Sequence, residues 1–66
     1  MNILVNGQPL ALEKIINVEA LLEETGYGGK LVAVARNGEF IPKESYADIT
    51  LKDNDKIEIV APMQGG

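Results

Sequence analysis

The sequence predicts an α+β domain in which one short helix packs across one face of a mixed sheet, and three observations predict it. Two Asn-Gly pairs, Asn6-Gly7 and Asn37-Gly38, each stand between β-prone runs. A single stretch, Val18 to Thr25, carries its apolar residues at helical spacing. The closing run Lys56-Ile57-Glu58-Ile59-Val60-Ala61 alternates as a strand with one buried face does.

The first hairpin is formed by Asn2 to Val5 and Gln8 to Glu13, because Asn-Gly tolerates the two positive φ angles of a type I′ turn. That register sets Val5 against Gln8 and Ile3 against Leu10, so Ile3, Val5, Leu10 and Leu12 share one face. Pro9 marks an edge strand. A helix is placed over residues 17–26: Asn17 is its N-cap, Glu19 suits the positive end of the dipole, Ile16 and Leu21 are spaced for a hydrophobic staple, and Gly26 stops it. Its apolar stripe lies on the face of the first hairpin. The strand pattern returns over residues 31–36 and pairs through Asn37-Gly38 with Glu39-Phe40-Ile41, setting Val34 against Ile41, Ala35 against Phe40, and Arg36 against Glu39 as an ion pair. Residues 43–49 read as a helical turn or loop, Thr50-Leu51 as a brief strand, and Asp53-Asn54-Asp55 as a turn.

Composition excludes several classes of function. A chain of 66 residues buries only about 60% of the surface its unfolded form exposes. It has room for one core and none for a large internal substrate site. There is no Cys and no His, so thiol nucleophiles, imidazole bases, structural zinc and disulfides are all missing. Six Lys+Arg against ten Asp+Glu give a net charge of −4, which argues against nucleic acid and points to a basic partner surface. The longest apolar run is the five residues from Leu31 to Ala35, so neither a signal peptide nor a membrane span is expected and a cytoplasmic location is.

Two candidate motifs fail on their spacing. The cluster Gly26-Tyr27-Gly28-Gly29-Lys30 is followed by Leu31 and has Glu24 where a P-loop requires its first Gly, so it reads as a helix stop and connection. The carboxylate pairs Glu23/Glu24 and Asp53/Asp55 lack a second ligand cluster and read as solvated charge and turn formers.

Two features remain for function. The register that buries Val32, Val34 and Ile41 turns Leu4, Ala33, Ala35, Phe40 and Val60 to the other face, which one helix cannot cover. Flanked by Arg36 and Glu58, this surface is suited to docking a protein. Beyond it, Pro62 ends the last ladder, and residues 62–66 are expected to form a flexible tail after a domain of residues 1–61. Gly65 and Gly66, lacking Cβ atoms, can thread a channel too narrow for side chains and present an α-carboxylate. Ionised at neutral pH, with an ordinary pKa of about 3.5, such a group reacts only after activation, for instance as an acyl-adenylate made by another protein.

The hairpin, the single helix, the Asn37-Gly38-Glu39 turn, Ile41-Pro42-Lys43, Asp53-Asn54-Asp55 and the Gly65-Gly66 end together resemble the ThiS family of ubiquitin-like sulfur carriers of thiamine biosynthesis. The resemblance spans nearly the whole chain and is most specific from Val32 to Lys43. It implies a β-grasp fold and a carrier, not an enzyme, that binds no cofactor of its own. It further implies that Gly66 is adenylated by a partner of the ubiquitin-activating type using ATP, with Gly65 giving access, and is then converted to a thiocarboxylate. Sulfur would come through a cysteine desulfurase or another donor and pass to a thiazole synthase. The outward face, with Pro62, would dock the activating partner, and the free carrier is expected to be a monomer. The diglycine end is shared with the MoaD family of molybdopterin carriers and with ubiquitin-like modifiers, which are the alternative readings.

Overall fold

The computed structural model describes residues 1–61. Five strands and one helix follow in the order β1 (Asn2–Val5), β2 (Gln8–Ala11), α1 (Val18–Glu24), β3 (Ala33–Arg36), β4 (Glu39–Ile41) and β5 (Lys56–Val60), with a 3₁₀ turn at Lys43–Ser45 before β5. The sheet order is β2-β1-β5-β3-β4. β5 runs parallel to β1 and antiparallel to β3, and β2 is an edge, as Pro9 requires.

Both hairpins adopt the expected turn. Asn6 and Gly7 have φ of 52° and 81°, and Asn37 and Gly38 have 52° and 89°. The pairs Ile3 with Leu10, Val5 with Gln8, Val34 with Ile41 and Ala35 with Phe40 all form. In α1 the Asn17 Oδ1 accepts the Ala20 amide at 2.8 Å, satisfying one of the first-turn donors that no carbonyl can reach. The Asn17 amide donates to the Ala47 carbonyl at 3.1 Å, tying the helix start to the segment before β5. Val18, Leu21 and Leu22 then join Ile3, Val34, Ile41, Leu51, Ile57 and Ile59 in one core.

The turn asparagines do more than permit positive φ. The Asn6 Oδ1 accepts the Ile59 amide at 2.8 Å, and the Asn37 Oδ1 accepts the Lys56 amide at 2.9 Å. β1 ends at Val5, opposite Ile57; the Asn6 side chain therefore continues the pairing of β5 past the point where the strand turns away. Asn37 also donates through Nδ2 to Asp55 Oδ1 at 3.1 Å, while Asp55 Oδ2 accepts the Lys52 amide at 2.8 Å.

Five expectations need correction. The second strand ends at Ala11, not at Glu13, because β1 begins opposite it at Asn2. Asp55 is not solvated charge; it is 5% exposed, because its short side chain folds back on the Lys52 amide and under Asn37. Arg36 lies opposite Glu39 in the register, yet its guanidinium reaches Asp55 at 3.8 Å and the Thr50 carbonyl at 3.3 Å. The buried carboxylate competes better than one in water. β3 begins at Ala33, not at residue 31; Ala33 lies opposite Val60, where β5 ends. Val32 is half-buried. Thr50 and Leu51 form no strand, only an isolated bridge from Thr50 to Asn17.

Replacing Asn6 by Gly keeps a favourable turn and removes one side-chain hydrogen bond, at a cost of about 1 kcal/mol. Asn37→Gly also strips a donor from buried Asp55 and should cost about 2 kcal/mol, and Asp55→Ala about 2–3 kcal/mol. Urea midpoints at unchanged slope check this order; equal losses for N6G and N37G would show that the link to Asp55 carries no stability.

Candidate functional site: the outward face beside the end of β5

The sheet has one face under α1 and one without a covering layer among the described residues. On the second face the register places Ala33 opposite Val60, and Ala35 between Phe40 on β4 and Glu58 on β5. Phe40 is 75% exposed and Val60 58% exposed. These lie on three adjacent strands close to the point where the chain passes to residue 61.

Two of the expected docking residues, and one of the flanking charges, are placed differently. Ala35 faces outward but is only 6% exposed, since a methyl group between larger neighbours on a central strand is walled in by them. Leu4 is half-buried and lies opposite Lys56 and Pro9, at the start of β5. Four residues of strand, about 13 Å, separate that row from Val60. Leu4 instead lines a separate depression with Asn2, Pro9, Asn54 and Lys56. Arg36 alternates to the helix side with Val34, so of the two expected flanking charges only Glu58 stands on this face. The remaining site residues, Pro62, Gly65 and Gly66, lie outside the described residues.

One residue was missed. Leu31 is 70% exposed and, with Val32, Ala33 and Val60, lines an apolar depression of about 280 Å³ beside the end of β5. Leu31 precedes β3 and also borders the helix-side depression with Leu22, Tyr27 and Tyr46, so strand alternation gave no signal for it. Its neighbourhood is set by Tyr46, whose hydroxyl donates to the Val32 carbonyl at 3.1 Å and whose own carbonyl accepts the Glu19 amide. The helix, the 3₁₀ segment and the approach to β3 are thereby joined.

Elsewhere the chemistry is sparse. Among the described residues no group of His, Cys, Asp and Glu could hold a metal ion, and no helix is long and apolar enough to cross a membrane. The glycine-rich loop offers no anion cradle. The Glu23 carboxylate lies over Gly28, where a Cβ would stand 2.5 Å from it, so negative charge already occupies that position.

One helix laid across a mixed five-stranded sheet of this order, with an apolar outer face beside its last strand, defines a ubiquitin-like β-grasp domain. The chain belongs to the ThiS family, whose model matches residues 3–66. It is 35% identical to the thiamine biosynthesis protein ThiS of Geobacter metallireducens, whose crystal structure superposes with a TM-score of 0.85 over the whole of both chains. It is 42% identical over 62 residues to the sulfur carrier protein ThiS of Thermus thermophilus, covering 94% of this chain and 95% of that one. A thiazole synthase of Paramagnetospirillum magneticum is 46% identical over all 66 residues, but the chain spans only 20% of that relative's length.

Phe40→Asp should leave stability within about 0.5 kcal/mol of the parent, as exposed substitutions do, whereas Ala35→Asp buries a carboxylate without a partner and should cost several-fold more. Thermal melts of the two variants decide; equal losses would mean that Phe40 is a packing residue.

Proposed function

We propose that this chain is a sulfur carrier of thiamine biosynthesis in which the α-carboxylate of Gly66 is the reactive group. The observation that supports this most directly is a family match running to residue 66, through the diglycine, in a chain without cysteine. A carrier with no thiol has its main-chain carboxylate as the position where sulfur can be held as an acyl derivative.

The steps follow from carboxylate chemistry. A carboxylate oxygen attacks the α-phosphorus of ATP in the active site of an adenylating partner and expels pyrophosphate. The resulting mixed anhydride makes the carbonyl carbon electrophilic. A sulfur nucleophile then adds to that carbon and expels AMP, so that a C–S bond replaces the C–O bond: hydrosulfide loses its proton to leave the thiocarboxylate directly, whereas a persulfide from a cysteine desulfurase leaves an acyl disulfide, whose S–S bond a thiol then cleaves to release the thiocarboxylate and form a disulfide with the remaining sulfur. Gly65 gives the partner's channel a segment without side chains. The thiocarboxylate is itself a nucleophile and delivers its sulfur to a thiazole synthase. That acceptor is suggested by relatives named thiazole synthase, which contain a stretch similar to this whole chain.

In this scheme the folded part supplies recognition and no catalytic group. Leu31, Ala33, Phe40 and Val60 make the apolar surface against which the adenylating partner seats the carrier, and Pro62 starts the segment that enters its active site. ATP is bound by the partner, and the carrier acts as a co-substrate in the cytoplasm.

Incubation with the adenylating enzyme, ATP and a sulfur donor should make the chain reactive toward a thiol alkylating reagent, once, in the peptide ending at Gly66. Deleting Gly66 should abolish labelling and leave the melting temperature unchanged, since a terminal glycine has no side chain to bury. The peptide must be read, because the mass gained on exchanging oxygen for sulfur nearly equals oxidation of Met1 or Met63. Absent labelling, labelling elsewhere, stable adducts to lysines of other proteins, or a natural C-terminal peptide continuing past Gly66 would overturn the proposal.

A further inference from the structure

We infer that Glu58 is the specificity anchor of the outward face, and that the surface of the adenylating partner that covers this face carries an Arg or Lys side chain directed at its carboxylate. This rests on the sulfur-carrier reading and adds the chemistry of the partner's contact surface.

Glu58 is exposed and occupies the middle of β5 on the outward side. Its cross-strand neighbour on β3 is the small, walled-in Ala35, and beyond that lies Phe40. Val60 follows two residues later on the same face. On its other side β1 has already turned away at Asn6, whose side chain is committed to the Ile59 amide. Lys56 is the nearest cation along the strand, yet among the described residues the one ion pair is Arg36 with Asp55. Glu58 thus has no ion-pair partner among the described residues and stands at the border of the apolar surface, with Ala35, Phe40 and Val60 on one side and Lys56 next along the strand.

Any protein that covers Phe40, Val60 and Leu31 with apolar groups also removes water from Glu58. A carboxylate so desolvated strongly disfavours the complex unless a donor replaces the lost water, and a cation compensates best. Arg does this with two parallel hydrogen bonds and a weaker hydration penalty than Lys. The net charge of −4 acts in the same direction at longer range, steering a basic surface toward the carrier. Glu58 also excludes apolar surfaces lacking a cation, including a second copy of this face, which would set two carboxylates together.

The test measures initial rates of carrier adenylation against carrier concentration for the parent, Glu58→Gln, Glu58→Lys and Glu24→Gln. Glu24 is an exposed acid at the end of α1, in the helix layer, and controls for net charge. Glu58→Gln should raise KM for the carrier roughly tenfold, with kcat within about twofold, and Glu58→Lys about a hundredfold or more. Added salt should raise the parent's KM more steeply than that of Glu58→Gln, and Glu24→Gln should stay within about twofold of the parent. If Glu58→Gln matches Glu24→Gln while the parent is adenylated normally, the anchor is refuted and the carrier reading stands. An effect confined to sulfur delivery at the thiazole synthase also refutes it, as does parent self-association that Glu58→Gln abolishes. A parent that is never adenylated removes the carrier reading and the anchor together.

Discussion

The middle strand is held by side chains as well as by its ladders, and the rest of the molecule depends on that. β5 is the element that joins the β1-β2 hairpin to the β3-β4 hairpin in the sheet. Neither two-stranded unit would be stable alone in water. Each hairpin turn reaches across to β5 through its asparagine, Asn6 to the Ile59 amide and Asn37 to the Lys56 amide. Asp55 completes the arrangement at the start of the strand, where its two oxygens take the Lys52 amide and the Asn37 side chain. One residue type thus forms two turns and clamps the strand between them.

That constraint links fold to function. β5 is the last strand among the described residues, and the positions that follow it include the diglycine on which the proposed chemistry depends. Ile57 and Ile59 anchor its inner side in the core, while Glu58 and Val60 project from the outer side. The same alternation therefore fixes the strand and displays the surface a partner would read. Leu31 and Ala33 extend that surface because Tyr46 holds the Val32 carbonyl from the helix side. In the proposed role such a scaffold offers a partner a recognisable face from which the chain continues toward the diglycine.

Much of this was legible in the residues. Asn-Gly between alternating runs specified the turn and the register of both hairpins, though not the ends of their strands, because turn type and register are local properties. The helix followed from its cap and its apolar spacing. What could not be read were contacts between residues far apart in sequence. Asn6 and Ile59 are 53 positions apart, and nothing near either one signals the bond. Asp55 looked like a turn acid because a turn acid and a buried acceptor have the same local sequence; its burial is decided by Asn37 and Arg36 arriving from another hairpin. The outward face was recognised as a face, but its pattern alone did not separate Leu4 from Val60, because their distance along β5 depends on the parallel register with β1.

Native-state amide exchange tests the clamped strand most directly. The Lys56, Ile57 and Ile59 amides should exchange only through global unfolding, with opening free energies equal to the stability measured by denaturant. Amides of the edge strands β2 and β4 should exchange at lower free energy. If the β5 amides exchange through local opening while either edge strand remains protected, β5 is not what holds the two hairpins together.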